Sequence, residues 1–500
     1  MRKNRLIYHS VYAVYFFLFI YIFWKVPYCH DEWAWGLPDR IDMMKKGFEG
    51  YNGRYLGNLL AIVITRSVWA KTLLLAVIML GLLLIMVKII STDESKSEFW
   101  PIISIIFFLL AVPRTLFQQT YGWVAAFVNF VPPVLIFLLY YAVAKPFESG
   151  ESGDTRLADV IWTGLLCVAG QLFSEHNTIF HVFFAMAVLV YGILKYKRIK
   201  WQDVFFLLAF SAGAALMFMN SAYGNAANNV DGYKHIQISL VTMVECYVDR
   251  ISDSLLLNNW ILNVCIAGIV IGLIMSKEKN RKIAAELIFV LAGYAVFGIW
   301  YKICPDWRFL GNEFYDDCVR AGLGILFVLH VLVSVFRYTE GDERRKILIW
   351  YVSAMIVAGP LLMANPIGAR CFYVSYIFQV LAMMELLKCR MASHAHCYDI
   401  NEISLVVLAG CMVLIFAYGW MFREIGRYND LRTRIIKDAR ITEQKEIALP
   451  LLPYSDYCWT TEPPTETWEK RFKKFYHLPQ DVKIQLYGRK INHLLGRWRE

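Results

Sequence analysis

The sequence predicts an all-α, polytopic membrane protein of about 13 transmembrane helices. Three observations carry that expectation. Of 500 residues, 58% are hydrophobic and 18% are charged, against about 25% charged in a soluble chain. The mean hydropathy is +0.44, and apolar runs long enough to cross a bilayer recur along the chain. Basic clusters fall in alternate connecting loops, as in a chain that crosses and returns. The same numbers exclude a string of soluble domains. The net charge of +10 then concerns loop orientation and not nucleic acid.

The elements follow in order. Arg2, Lys3 and Arg5 precede an apolar stretch to about Val26 with no small-residue cleavage site. This predicts a retained first span and not a removed signal peptide. Further spans are expected near 69–90, 99–114, 124–144, 158–173, 179–194, 203–219, 257–275, 283–301, 318–336, 347–363, 371–388 and 403–421. Several count only 16 residues and need longer ends or a thinned bilayer. Between the first two spans, 39–48 and 53–67 read as surface helices, the second with Leu56, Leu59, Leu60 and Val63 at helical spacing.

Orientation comes from the loops. Lys195, Lys197, Arg198 and Lys200, then Lys277, Lys279, Arg281 and Lys282, then Arg337, Arg344, Arg345 and Lys346, then Lys388 and Arg390 alternate along the chain. With the N-terminal cluster they mark the cytoplasmic side. Thirteen spans then place the C-terminus outside. The boundary is expected at 421, with a membrane domain over 1–421 and an extracytoplasmic segment over 422–500. That segment contains Pro450, Pro453, Pro463, Pro464 and Pro479, and many aromatics, among them Trp459 and Trp468. Helix-like stretches at 422–446, 465–477 and 480–497 frame its Pro-rich middle. It reads as a lid, as an acceptor-binding cap or as a surface appendage.

The opposite loops hold most of the chemistry. They contain His30-Asp31-Glu32-Trp33, Gly53-Arg54-Tyr55, Gln118 to Trp123, Glu175-His176-Asn177, 220–229, Asp306 to Arg308, Asp316-Asp317 and Asn365 to Arg370. Asp31 and Glu32 lie side by side, so they cannot share one helical face. A carboxylate beside Trp33 and Trp35 is partly desolvated, which favours a general base. Equally, the loop reads as a Trp belt with solvated acids. Arg54 reads as a phosphate fork or as a salt-bridge partner of Asp31 or Glu32. Glu175 and His176 read as metal ligands, as an acid–base pair, or as a hydrogen-bonded structural pair. The break Asn365-Pro366-Ile367-Gly368 before Arg370 opens backbone groups at a helix mouth, where Arg370 suits an anionic head group or anchors the interface. Glu286 and Glu385 lie near the basic side. Ion-coupled transporters place ionisable groups near the midplane, so a transporter is disfavoured.

Eleven cysteines show no CxxC pair. Cys304 and Cys318 flank one loop and are the candidate disulfide, although spacing alone does not make one.

Together these motifs resemble membrane glycosyltransferases of the GT-C fold, and more closely bacterial glucosyltransferase-like multi-pass proteins. The likeness rests on the acidic first-loop pair, the Gly53-Arg54-Tyr55 element, the Gln118 to Trp123 loop and the Glu175 to Asn177 loop, and spans about 1–420. Many relatives have Asp-Asp where this chain has Asp31-Glu32. The resemblance implies transfer of a sugar from a polyprenyl-phosphate donor to a cell-envelope glycan or glycolipid on the outer membrane face. It implies Asp31 or Glu32 as base and Arg54 or Arg370 on the donor phosphate. Gln118, Tyr121, Trp123, Glu175, His176 and Asn177 would line the substrate site. A divalent metal ion stays open, since some GT-C enzymes need one. The alternatives are a glycolipid flippase or exporter, and a polysaccharide polymerase or ligase.

Overall fold

A computed structural model describes residues 2–91, 99–148, 156–228, 230, 239–304, 310–364, 366–393 and 400–488. It is the fold of a helical multi-pass membrane protein. Among the described residues, eleven helices are long and apolar enough to cross a bilayer. Each expected span falls on helix, but two are short. Phe99–Leu110 and Leu157–Gly170 have 12 and 14 residues, below the roughly 20 that cross hydrocarbon directly. Within the two stretches expected as surface helices, Asp39–Lys45 and Tyr55–Ile64 are helical.

Two compact units divide the chain, and neither is continuous. One comprises residues 1–85, 114–225 and 410–500, the other 86–113 and 226–409.

In the first unit, Val124–Phe130 and Pro132–Ala144 form one span interrupted at Val131. Pro132 and Pro133 bring no backbone N–H, so they fit a first turn and break the ladder behind them. Leu157–Gly170 packs against Pro132–Ala144 and Trp201–Phe218, and Glu175–Tyr196 packs against Trp201–Phe218. The interior is aromatic. Phe137 stacks on His181 at 4.9 Å, and Tyr140 meets Phe206 and Phe210 edge-on.

The helix Ile400–Thr442 has 43 residues and runs straight through the expected boundary at 421. Beyond it, strands Glu446–Pro450 and Lys483–Tyr487 pair in parallel, Glu446 opposite Lys483. The stretch 480–497 was expected to be helical, and its described part holds this strand instead. Parallel pairing with 446–450 satisfies the backbone there, with Ile484 less exposed than its strand neighbours. Residues 489–497 lie outside the described residues. The crossover between the strands contains the helix Glu466–Phe475. Arg432 ties this segment to the long helix. It is nearly buried and donates to the carbonyls of Pro450 and Thr461 and to Glu462 Oε1.

In the second unit, Gly341–Ile356 packs along Tyr373–Ser393, and Trp260–Lys277 packs on both Arg281–Ile303 and Tyr373–Ser393. Tyr376 Oη donates to Phe108 O at 2.7 Å, fixing the short helix Phe99–Leu110 in this unit. Cys304 and Cys318 are both free thiols, so the candidate disulfide is not formed. Asp306 to Arg308 and Asn365 lie outside the described residues.

Candidate functional site

The first loop is a tightly tied turn. Trp33 Nε1 donates back to Tyr28 O at 3.1 Å, and Tyr28 Oη donates to Ile64 O at 2.7 Å. Arg66 caps the far end through Trp35 O and Leu37 O. His30 holds φ 43 and ψ −113, a conformation that L side chains rarely adopt and that costs about 1–3 kcal/mol. Its ring stacks on Trp468 with centroids 3.7 Å apart and meets Trp123 edge-on at 5.9 Å.

That turn separates the two carboxylates. Asp31 is 40% exposed, with His30 Nδ1 3.2 Å from its Oδ1. Glu32 is fully buried. Its Oε2 accepts from Cys29 N at 2.6 Å and its Oε1 from Ala125 N at 2.9 Å. Burial pushes the Glu32 carboxyl up to about 7, while those two N–H groups and the Lys71 charge pull it down. Lys71 is itself buried, donates to Val26 O at 2.7 Å and lies 4.6 Å over the Tyr28 ring.

Arg54 pairs with Glu175. Nε reaches Oε1 and Oε2 at 2.8 and 3.0 Å, and Nη2 reaches Oε2 at 2.7 Å. Tyr223 Oη donates to Glu175 Oε1 at 2.8 Å and accepts from Gly53 N at 3.1 Å. Gly53 is required here, since a Cβ would lie 2.1 Å from Met217 O. The Gly53-Arg54-Tyr55 element is therefore a docking point on 175–223. His176 is buried near the Phe130 ring, and Asn177 Nδ2 donates to Ser174 Oγ at 2.8 Å. Both face the interior beside the ion pair.

The Gln118 to Trp123 loop receives the C-terminal segment. Gln118 Nε2 donates to Ser455 O and Cys458 O. Gly122 O accepts from Trp459 N at 3.0 Å, and a Cβ on Gly122 would lie 2.0 Å from Tyr457 O. Trp123 stacks on Trp459 at 4.9 Å and 9°. Tyr121 is fully buried between Phe19 and Phe117. Gln118, Gly122 and Trp123 thus fasten the tail, which in turn supplies Trp459 and Trp468 around His30.

Arg370 belongs to the second unit, in the short turn Ala369–Phe372. That turn packs on Ser252–Leu255. Leu255 lines an apolar cavity of about 250 Å³ together with Tyr247, Ile325, Leu329 and Met355. Beside it, Tyr247–Ile251 forms a single π-turn, a local irregularity frequent at functional sites.

Sequence reasoning missed Lys71, Tyr223, Tyr51, Arg40 and Arg471. Lys71 had one signal, a lone charge at the start of an apolar run. Arg40 lies 5.4 Å from the Trp35 ring centre and 5.8 Å from that of Tyr51, and Arg471 4.4 Å from that of Trp468. The Tyr51 hydroxyl titrates above its ordinary value through restricted solvent contact and then the Asp31 charge, while Arg40, Arg54 and Arg471 pull it back. All four charges therefore act on one point. Among the described residues, no three His, Cys, Asp or Glu side chains converge as a metal-ligand set. No protein-family model, curated protein or solved structure matches the chain.

Proposed function

We propose that the chain is a membrane glycosyltransferase that moves a sugar from a polyprenyl-phosphate carrier to a cell-envelope glycan or glycolipid acceptor. The observation that carries this reading is the division of labour between two adjacent carboxylates. Glu32 is buried and accepts a peptide N–H on each oxygen, so it holds the turn. Asp31 is half exposed among aromatic rings and arginines. That is the setting of a general base beside an anionic leaving group.

In the proposed step, Asp31 accepts the proton of an acceptor hydroxyl. The oxygen attacks the anomeric carbon, the bond from that carbon to the phosphate oxygen breaks, and the lipid phosphate leaves with the electron pair. The proton passes from Asp31 to solvent before the next turnover. An outward-facing transferase needs a lipid carrier, because nucleotide sugars stay in the cytoplasm.

The test is purified protein with a panel of radiolabelled polyprenyl-phosphate sugars, scored for transfer or slow hydrolysis. Asp31→Asn keeps size and removes the base, so turnover should fall about 10²–10⁴-fold with the melting curve unchanged. Wild-type turnover in that variant removes Asp31 from the mechanism. No reaction with any sugar overturns the transferase reading.

A further inference from the structure

We propose that Arg40 and Arg471 form a phosphate-binding pair beside Asp31 and take the phosphate of an anionic lipid. This rests on the transferase reading for its context and assigns the phosphate to residues outside the sequence motifs.

The argument is one of commitment. Five basic side chains gather around the first loop. Arg54 is spent in a forked ion pair with Glu175. Arg66 is spent on the carbonyls of Trp35, Leu37 and Ile62. Lys71 is buried on Val26 O. Arg40 and Arg471 remain. The polar neighbours of Arg40 are the Met43 sulfur at 3.5 Å and the exposed Asp39 at 4.0 Å, and its Nε is buried without a hydrogen bond among the described residues. Arg471 makes no hydrogen bond or ion pair among the described residues.

Both guanidinium groups are nonetheless held in place. Arg40 lies against Trp35 and Tyr51, and Arg471 against Trp468. An aromatic face fixes a guanidinium plane without using its N–H groups, which stay available for a forked bond to phosphate. The two arginines come from 39–45 and 466–475: Arg40 lies on Trp35, one turn from Asp31 in the helix 31–35, and Arg471 lies on Trp468, whose ring meets His30 next to Asp31. Neither lies within ion-pair distance of Asp31 among the described residues. Beside the Asp31 carboxylate, and with the exposed Asp39 no nearer than 4.0 Å to Arg40, the two guanidinium groups keep N–H donors for one further anion. Asp31 then stands next to the phosphate and not on it, as a base next to a leaving group must.

The experiment measures binding of dodecyl phosphate to the full chain in non-ionic detergent by titration calorimetry, with dodecanol and inorganic phosphate as separate arms. Dodecyl phosphate should bind, dodecanol should not, and inorganic phosphate should compete only at much higher concentration. Arg40→Gln and Arg471→Gln should each weaken dodecyl phosphate about 10–100-fold, the range of a charge-assisted hydrogen bond. Arg427→Gln, at an exposed arginine of the long helix, should leave it unchanged. Arg40→Lys and Arg471→Lys keep charge and stem, guard against misfolding, and should weaken binding less than the Gln variants. Wild-type affinity in both Gln variants overturns the pair. Equal binding of inorganic and dodecyl phosphate overturns the lipid assignment. Because no sugar is involved, the two readings fail separately. Transfer activity with binding indifferent to both arginines sinks only the pair, and arginine-dependent binding with no transfer sinks only the enzyme.

Discussion

Replacing Glu32 by Gln sets an amide NH2 against one of the two peptide N–H groups that the carboxylate now accepts. One buried donor is then left without a partner, at a cost of about 1–3 kcal/mol. Glu32→Gln should therefore lower the melting temperature, with turnover per folded molecule falling less than in Asp31→Asn. Thermal unfolding beside transfer assays separates the two, and the opposite ranking moves the base to Glu32. The same residue predicts a pH dependence. Its carboxyl rises from 4.5 to about 7 on folding, so the stability contributed by the protonated form is complete below pH 4.5 and lost as pH rises through 7. The melting temperature of the wild type should fall across that window relative to Glu32→Gln, and parallel profiles would show that Glu32 does not titrate there. Lys71→Met removes the positive charge that lowers this carboxyl and leaves Val26 O without its buried donor. An unserved buried acceptor costs about 1–3 kcal/mol, so that variant should unfold before the wild type.

At the scale of elements, legibility followed the kind of signal. The apolar runs gave the helices, because periodicity and length are written locally. Gly53 and Gly122 were legible as motif members, but their reason is the approach of Met217 O and Tyr457 O, and no local pattern announces a distant carbonyl. The partner of Arg54 was hidden for the same cause. The sequence left it open between a phosphate and a salt bridge to Asp31 or Glu32, whereas Glu175 meets it across 121 residues. The strand at Lys483–Tyr487 is decided by pairing with 446–450 and not by its own five residues. The Trp459 and Trp468 rings, named among tail aromatics, gained a role only once the tail lay on 118–123. That docking is itself testable. Gly122→Val drives a branched side chain into Tyr457 O, and Arg432→Met takes its donors from the carbonyls of Pro450 and Thr461 and leaves Glu462 with Thr461 Oγ1. Each should raise hydrogen exchange across 446–487 while the span helices stay protected. Unchanged exchange in both variants would mean that the tail is held by other contacts.

For the whole molecule, the count of crossings decides where the termini lie. Among the described residues, eleven long helices, or those eleven with both Phe99–Leu110 and Leu157–Gly170, give an odd number and opposite sides for the two ends. If one of these two short helices crosses and the other does not, the ends share a side. The basic loops favour a cytoplasmic N-terminus, so a reporter active only outside the cytoplasm should be active when fused at Glu500, and a signal from a cytoplasmic reporter there would make the number even. The helix Ile400–Thr442 adds a consequence of length. At 1.5 Å per residue its 43 residues extend about 65 Å, roughly twice the hydrocarbon thickness. Its far half is thus a rigid mast, and Arg432 clamps the tail to it at a fixed height and a fixed bearing. Two residues inserted near Arg434 would swing everything beyond by about 200°. Seven would restore the bearing but lift it about 10 Å. Trp468 reaches His30 only at one setting of that mast, so the height at which the tail meets the first loop is measured by a helix and not by a flexible tether.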